Sequence, residues 1–395
     1  MELLYLSHCV PDAPNKGEKI RACYCVEQLA RHHRLHLVCF AASEAEAAAA
    51  RKMNNCASVY VERLSATGAL PRAGWRFFAR GRCLVTEYFH SPAMKRHVAE
   101  LTLKVRLDAT LVFTTAMAQY APAGVPMLLD MADVDSEKWL HYGTVRTPSF
   151  LYNTVGRRLR KQEISFAGLA ERTILVTEAE ARLLKSFAPA ADATFVENGV
   201  NFTHFAPGAF PAKPELNGRT FIAFVGAMNY YPNVEAVVWF AREVWPELRR
   251  RMPQLEFGIV GRSPTAAVKA LASRAGIWVA ADPPEVVPYL EASAAVVAPL
   301  QMARGIQNKV LEALAMGKTI FATVPICKTF GSDVPAGIVS CAGANDFVAQ
   351  IAASPLVPNA YDPSIRTAAQ QRFSWSGSIE RLETELTRVV SRSID

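Results

Sequence analysis

Long apolar runs, paired metal-binding cysteines and a dinucleotide fingerprint are all missing from this sequence. Among its 395 residues, no stretch of about 18 apolar residues is uninterrupted, so we expect no membrane-spanning helix. The first ten residues have neither a basic segment nor a long apolar one, so we expect no signal peptide. None of the eight cysteines forms a C-x-x-C pair, which favours buried, reduced thiols in a cytoplasmic protein.

Charged residues are also scarce, at 20% of the chain, whereas apolar residues make up 51%. This composition predicts globular structure, and the length favours two domains over one. The net charge of +7 favours anionic partners, but no nucleic-acid-binding module accompanies it.

Two clusters of basic residues are each consistent with a solvated helix face. In the first cluster, aromatic residues alternate closely with the arginines, and for this cluster alone we favour a patch that rests on an anionic membrane. The first cluster is Arg72, Arg76, Arg80 and Arg82, interleaved with Trp75, Phe77 and Phe78; the second is Arg157, Arg158, Arg160 and Lys161.

Short apolar runs such as Leu3–Ser7 alternate with amphipathic stretches along the whole chain. This alternation predicts an α/β fold with two Rossmann-like, doubly wound parallel-sheet domains that face each other across a cleft. A cluster of proline and Asn-Gly turn signals at 198–219 predicts the linker. We therefore predict domains at 1–205 and 206–363, followed by a helical segment at 364–395 that packs back on the first domain.

Ligands of open parallel sheets bind beyond the carboxyl ends of the strands, which singles out three loops. The first loop, Pro11–Arg21, places Gly17 before a helix with Lys19 and Arg21 nearby, as an anion-binding loop would. An ordinary strand–helix connection explains it equally well.

The second loop, Asp130–Trp139, contains Asp133 and Asp135, which could act as a base or orient hydroxyl groups. Helix capping is the alternative, and a metal site has little support.

The third loop, Ala303–Glu312, follows the predicted strand Ala295–Pro299 and leads into a helix predicted at Gln307–Met316. If the helix extends back to Arg304, then Arg304, Asn308 and Glu312 share one polar face. The alternative is a stripe of surface salt bridges. Helix-terminal N–H groups and Lys309 could bind a diphosphate, and Glu312 a ribose diol. The candidate donor-binding residues in this loop are Arg304, Gly305, Gln307, Asn308, Lys309 and Glu312.

This third loop resembles the E-x7-E donor motif of glycosyltransferase family 4 and related GT-B enzymes, with Glu312 as the second glutamate. Asn198–Asn201 resembles the N-G-V-D element of that family, and Gly226 and Gly261 end strands that look like its two strand–glycine turns. Finer similarity to the sugar transferases of exosortase/PEP-CTERM exopolysaccharide systems is carried by three stretches. They are Pro14-Asn15-Lys16-Gly17, Asp133-Val134-Asp135-Ser136-Glu137-Lys138-Trp139 and Ala303-Arg304-Gly305-Ile306-Gln307-Asn308-Lys309.

The sequence departs from the family pattern at two positions. Arg304 stands where the first glutamate is usual, and Ala227 where an arginine usually follows the first glycine turn. The resemblance implies that these positions contact the donor sugar and the diphosphate. The cations available to restore the missing charge are Arg304, Lys309, Arg262 and either Lys19 or Arg21.

The resemblance implies a glycosyltransferase that moves a sugar from a UDP- or GDP-linked donor to a saccharide or polyprenyl-linked acceptor in exopolysaccharide synthesis. We expect the donor on the second domain, near Gly226, Arg262 and Glu312, and no metal or cofactor. We expect the acceptor near Asp133, Asp135 and Gly17. If the enzyme inverts, Asp133 is the base; if it retains, Asp133 positions the acceptor. The alternatives are a sugar-nucleotide epimerase and a catalytically silent binding protein. The expected location is cytoplasmic, on the inner face of the membrane where the aromatic patch docks.

Overall fold

The computed structural model describes residues 1–12 and 17–392. Its chain forms two compact units, Met1–Glu197 with Ser376–Asp395, and Asn198–Trp375. The first unit therefore ends before the predicted limit at residue 205, and the chain passes between the units twice.

The first unit is built on a parallel sheet. Its strands are β1 (Glu2–Ser7), β2 (Arg34–Ala41), β3 (Ser58–Arg63), β4 (Ala109–Phe113), β5 (Met127–Ala132), β6 (Arg172–Leu175) and β7 (Ala193–Phe195). Across the described residues these seven strands lie in the order β3-β2-β1-β4-β5-β6-β7. Side chains alternate between the faces of a strand, so Leu3 and Tyr5 enter one apolar layer and Leu4 and Leu6 the other. Burial on both faces is what the short, unbroken apolar runs of the sequence predict.

Helices cover both faces of this sheet. They are α1 (Gly17–His32), α2 (Glu44–Arg51), α3 (Ala66–Arg80), α4 (Leu84–Tyr88), α5 (Pro92–Lys104), α6 (Asp135–Val145), α7 (Ser149–Leu169) and α8 (Glu178–Phe187), with a 3-10 helix at Thr115–Tyr120.

The second unit repeats this plan. Its strands are β8 (Phe221–Val225), β9 (Glu256–Gly261), β10 (Ile277–Ala281), β11 (Ala295–Ala298), β12 (Ile320–Thr323) and β13 (Ile338–Cys341). They form a parallel sheet in the order β10-β9-β8-β11-β12-β13. Its helices are α9 (Tyr231–Trp239), α10 (Trp245–Arg251), α11 (Ala266–Lys269), α12 (Val287–Ala292), α13 (Asn308–Ala315), α14 (Val324–Lys328), α15 (Ala344–Ala353) and α16 (Pro363–Arg372), with a π turn at Phe240–Val244 and 3-10 turns at Pro214–Leu216 and Ala270–Ser273. The predicted pair of doubly wound parallel sheets is confirmed.

The C-terminal segment differs from the single helix predicted from residue 364. It is broken between α16 and a last helix, α17 (Trp375–Arg392), because Ser374 pairs with Val200 and the Phe373 carbonyl accepts the Val200 N–H at 2.8 Å. The apolar face of α17 joins the layer that contains Leu3 and Tyr5 of the first unit. The residues it contributes are Ile379, Leu382, Leu386 and Val389.

Every helix within residues 1–12 and 17–392 is too short or too polar to span a lipid bilayer. All eight cysteines lie in this described part of the chain and are free thiols, and five of them are buried.

Candidate functional site

The third candidate loop and the glycine turn at Gly226 follow neighbouring strands of the second unit. β8 pairs with β11 in a register that joins Ile222 to Ala295 and Ala223 to Val296. From this pair the strand order runs outward in opposite directions. Such a switch point, at the carboxyl ends of the strands, is the usual ligand site of a doubly wound sheet. The structure therefore brings the loop after Val225 and the loop after Ala298 together.

The glycine turns after β8 and β9 pack directly on each other. The N–H of Gly226 donates to the Val260 carbonyl at 3.1 Å, and that of Met228 to the Arg262 carbonyl at 2.7 Å. A Cβ atom on Gly261 would lie 1.7 Å from the Gly226 carbonyl oxygen, so only glycine fits there. The close approach places the exposed residue Arg262 beside the turn after β8.

Lys309 extends from α13 toward this same turn. Its ammonium group contacts Oδ1 of the buried Asn233 and lies 4.9 Å from the centre of the Phe224 ring. Asn233 in turn donates from Nδ2 to the Ala227 carbonyl at 2.9 Å. Burial lowers the pKa of Lys309 to about 7, and Glu312 partly opposes this effect.

Glu312 lies one turn further along α13. It is partly buried, and burial raises its pKa to about 7, while Lys309 acts to lower it. Near the start of the same helix, Asn308 accepts a hydrogen bond from Nδ2 of Asn198 at 3.3 Å. A carboxylate and a cation thus lie on the same helix at the switch point, and the side-chain amide of Asn233 contacts the cation.

The helical extension back to Arg304, on which a polar face shared by Arg304, Asn308 and Glu312 depended, is not found. α13 begins at Asn308, because Gly305 adopts the left-handed conformation with φ of 57° and breaks the helical register. Gln307 is the residue that precedes the helix, and its Nε2 donates to the Arg304 carbonyl at 2.9 Å. The predicted polar stripe of Arg304, Asn308 and Glu312 is therefore wrong for its first member.

In the first unit, two predicted anion-binding cations are neutralised internally. Nζ of the buried Lys19 lies 2.9 Å from both Asp12 and Glu46. Nε of the buried Arg21 lies 2.7 Å from Asp130, and its Nη1 donates to the Val196 carbonyl at 3.0 Å. These internal ion pairs compete with any bound phosphate, so neither residue enters our proposed site. Gly17 begins α1, and Pro14, Asn15 and Lys16 lie outside the described residues.

Asp133 lies in the loop after β5, which turns sharply at Ala132. That residue has a φ of 60°, and the strand register shifts there. Asp133 is partly buried, and its Oδ1 is shielded from solvent with no hydrogen-bond partner among residues 1–12 and 17–392. Burial, reinforced by the negative charges of Glu180 and Asp135, raises its pKa to about 7. Asp135 itself is the first residue of α6.

Three buried carboxylates, which we call the carboxylate clamp, accept hydrogen bonds from alternate backbone N–H groups of this loop. The pairs are Asp130 with Ala132 at 3.1 Å, Glu180 with Val134 at 2.8 Å, and Glu163 with Ser136 at 2.9 Å. Glu163 also accepts from the Ser136 hydroxyl, and burial raises its pKa to about 7. The acids come from β5, α8 and α7, so three elements fix one loop.

Glu163 and Glu180 were not predicted from the sequence. Glu163 interrupts a stripe of buried residues at Val155, Leu159 and Ala167 of α7, and a charge in phase with an apolar stripe is a usable signal. Glu180 follows the N-cap residue Thr177 at the spacing of a capping box. This local pattern already explains a glutamate at this position, so the sequence gives no separate signal for its contact with the loop after β5.

The predicted membrane patch on α3 is smaller than the sequence suggested. Trp75 and Phe78 are 57% and 73% exposed, but Phe77 is buried. Arg76 pairs with Glu87 at 2.7 Å, whereas Arg80 stacks over the Trp75 ring. Phe77 and Arg76 therefore do not belong to the membrane patch, because Phe77 packs in the interior and Arg76 pairs with Glu87. The remaining surface of Leu70, Trp75, Phe78, Arg80 and Arg82 is called the α3 patch.

The second basic cluster is divided between surface and interior contacts. Arg157 and Lys161 are exposed on α7. Arg158 donates to the Phe77 carbonyl at 2.6 Å and lies over the Phe77 ring, and Arg160 pairs with Glu137.

Within residues 1–12 and 17–392, no group of three or more histidine, cysteine or acidic residues is arranged to hold a metal ion.

Part of the second unit is similar to a known protein family. Residues 219–353 match the family described as glycosyl transferases group 1. No curated protein sequence matches the chain.

Several solved structures share the whole fold. Sucrose-phosphate synthase from Thermosynechococcus elongatus has a TM-score of 0.71 at 13% identity, over 99% of this chain and 100% of that one. Anabaena HepE in complex with UDP and glucose has a TM-score of 0.64 at 12% identity, over 98% and 100%. The α,α-trehalose 6-phosphate synthase from Burkholderia multivorans has a TM-score of 0.65 at 11% identity, over 99% of each chain. The fold of this chain is therefore GT-B.

Proposed function

We propose that this protein is a glycosyltransferase that moves a sugar from a nucleoside diphosphate sugar to a saccharide or polyprenyl-linked saccharide. The observation that carries this proposal is the position of Lys309 and Glu312 on one helix at the switch point of the second sheet, where each acts on the pKa of the other, within the segment that matches the glycosyl transferases group 1 family. HepE, which shares the fold, was solved with UDP-glucose, so UDP-glucose is the first donor to test.

In our proposal the donor binds to the loops after β8 and β11. Glu312 accepts hydrogen bonds from the ribose hydroxyls, and the first turn of α13 and Lys309 bind the diphosphate. Gly226 and Gly261 allow the diphosphate to approach the backbone closely, and Arg262, Asn308, Gln307, Gly305 and Arg304 complete the donor site. Developing charge on the leaving diphosphate is stabilised by Lys309 and the helix N-terminus, without a metal or cofactor.

The acceptor binds to the first unit at Asp133 and Asp135 in this proposal. A carboxylate with a pKa near 7 and a buried oxygen in need of a donor is well suited to receive a hydrogen bond from an attacking hydroxyl. We propose a cytoplasmic enzyme of exopolysaccharide synthesis, whose α3 patch rests on the membrane that carries a polyprenyl-linked acceptor.

The test begins with binding of UDP, GDP and ADP, followed by incubation with the matching radiolabelled sugar nucleotides and a panel of soluble and polyprenyl-linked saccharides. We expect labelled product that needs both substrates and forms in the presence of EDTA. NMR of the product's anomeric proton identifies the stereochemistry. Conversion of the donor without acceptor would instead identify an epimerase, and binding without turnover a silent protein. A requirement for a divalent cation would contradict the proposed mechanism.

A further inference from the structure

The carboxylate clamp holds the backbone on both sides of Asp133. Its three hydrogen-bonded N–H groups belong to Ala132, Val134 and Ser136, which run from the sharp turn at Ala132 into the first turn of α6. The side chains of Val134 and Ser136 are buried, whereas those of Asp133 and Asp135 are only partly buried. The clamp therefore fixes the backbone from which the partly exposed Asp133 side chain extends.

A neutral acceptor could hold the same N–H groups at lower cost. Burying a carboxylate is more unfavourable than burying an amide or a carbonyl that makes the same bond. Asp130 pairs with Arg21, and the positive charge of Arg160 acts on Glu163, while Glu180 is a further buried acid whose charge acts on Asp133. This concentration of acids is hard to explain as loop support alone.

We infer that Glu163 and Glu180 are positioning residues for Asp133: they hold the loop so that the Asp133 carboxylate meets the attacking hydroxyl of the saccharide acceptor. This inference rests on the proposed glycosyl transfer. Neither glutamate touches substrate. The ionised Asp133 accepts a hydrogen bond from the acceptor hydroxyl, and Glu163 determines where that carboxylate lies.

Glu180 has a second effect, which is electrostatic. The charged groups that act on Asp133 are Glu180 of α8, Asp135 and Lys138 of α6, and Arg21 of α1. The two acids raise the pKa of Asp133, and the two cations lower it. Removing the charge of Glu180 while keeping its carbonyl oxygen as an acceptor will therefore lower the pKa of Asp133 without releasing the loop.

The experiment compares Glu163→Ala, Glu163→Gln and Glu180→Gln with a control, Glu178→Gln, which removes a more exposed carboxylate from the same helix as Glu180. Glu163→Gln can still accept from the Ser136 N–H, so it serves as the conservative variant. Initial rates are measured with the donor and acceptor concentrations varied separately, at pH values above and below the pKa of Asp133. Hydrogen exchange of the peptide that spans the loop reports its order independently of activity.

For Glu163→Ala we expect faster exchange in the loop, a fall of about 10- to 100-fold in kcat/KM for the acceptor, and an unchanged KM for the donor. Glu163→Gln should restore most of this loss. Glu180→Gln should move the acid limb of the kcat profile to lower pH by ~1 unit, and Glu178→Gln should change neither readout.

Wild-type transfer combined with an unchanged acceptor kcat/KM in Glu163→Ala, despite faster loop exchange, overturns the positioning role and leaves the proposed function intact. An unmoved acid limb in Glu180→Gln overturns the electrostatic role. Wild-type protein that binds nucleotide but transfers no sugar overturns the proposed function, and the positioning role falls with it.

Discussion

Lys309 reaches across the switch point of the second sheet to Asn233, whose side chain also holds the Ala227 carbonyl at 2.9 Å. The turn after β8 carries no cationic side chain at position 227, yet an ammonium group stands next to it. A helix that follows β11 thus delivers charge to the turn that follows β8. Because we propose that the donor binds to this charge, we expect donor binding to be coupled to proton uptake and to depend on pH.

We predict that UDP binding at pH 8 takes up a proton at Lys309. Burial lowers the pKa of the free ammonium to about 7, so most of it is neutral at pH 8. A bound diphosphate favours the charged form and raises that pKa, which requires a proton from solvent. Calorimetry in buffers of different ionisation enthalpy measures this uptake. Lys309→Met should abolish it, while Lys269→Met, an exposed lysine of the same unit, should keep it. Equal uptake in Lys309→Met would exclude Lys309 as the group that titrates.

We predict that Glu312→Ala weakens UDP binding by about 1–3 kcal/mol, or about 5- to 150-fold in Kd, the cost of a lost charged hydrogen bond. Removal of the ribose contact also predicts that 2′-deoxy-UDP loses little additional affinity in the variant. Isothermal titration provides both numbers. Glu247→Ala, on the surface of α10, is the matched control. An unchanged Kd in Glu312→Ala would falsify the ribose assignment.

We predict that Asp133→Asn stabilises the protein at pH 8 while it slows transfer. Burial raises the folded pKa of Asp133 above its ordinary value of 3.8 to about 7, so the folded state holds the proton more tightly than the unfolded chain. Stability from this group is therefore full below pH 3.8, falls as pH rises toward 7, and stays reduced above it.

The expected gain at pH 8 is ~1–2 kcal/mol, or ~2–6 °C in Tm, after allowance for the partial exposure of the side chain. Near pH 3.8 the wild-type and Asn variants should melt together. Glu100→Gln, an exposed acid of α5, is the control and should not change Tm at either pH. A lower Tm for Asp133→Asn at pH 8 contradicts the burial argument.

We predict that the α3 patch binds anionic membranes through Trp75 and Phe78. The double variant Trp75→Ser/Phe78→Ser should lose most of its sedimentation with phosphatidylglycerol-containing vesicles, because two exposed aromatic rings no longer enter the interface. Leu103→Ser/Leu169→Ser removes two other exposed apolar side chains of the first unit and should bind like wild type. An equal loss of vesicle binding in both double variants would mean that any exposed apolar side chain promotes binding, and that the α3 patch is not a docking surface.

The strands were predictable because their signal is local. The apolar runs Leu3–Ser7 and Ala295–Pro299 lie within one residue of the observed strands Glu2–Ser7 and Ala295–Ala298, since short unbroken apolar runs fit strands that are buried on both faces. The extension of α13 to Arg304 failed for an equally local reason. Gly305 permits a left-handed turn, and the sequence alone does not reveal whether a glycine uses that freedom.

The polar partners were not predictable, because they lie far apart in the chain. Lys19 meets Glu46 from 27 residues away, and Arg21 meets Asp130 from 109 residues away. The sequence predicts both cations in a loop beyond the carboxyl end of a strand, where anions bind. Only the fold shows that Asp12, Glu46 and Asp130 neutralise them. Whether Lys309 and Glu312 bind a donor stays a prediction.

The helix α17 makes the first unit depend on a segment that follows the whole second unit in the chain. Ile379, Leu382, Leu386 and Val389 fill an apolar layer whose other members, such as Leu3, precede the second unit. The second unit, Asn198–Trp375, contains its own sheet and core. During translation the later unit can therefore close first, while the earlier one keeps an open apolar face until residues 376–392 emerge.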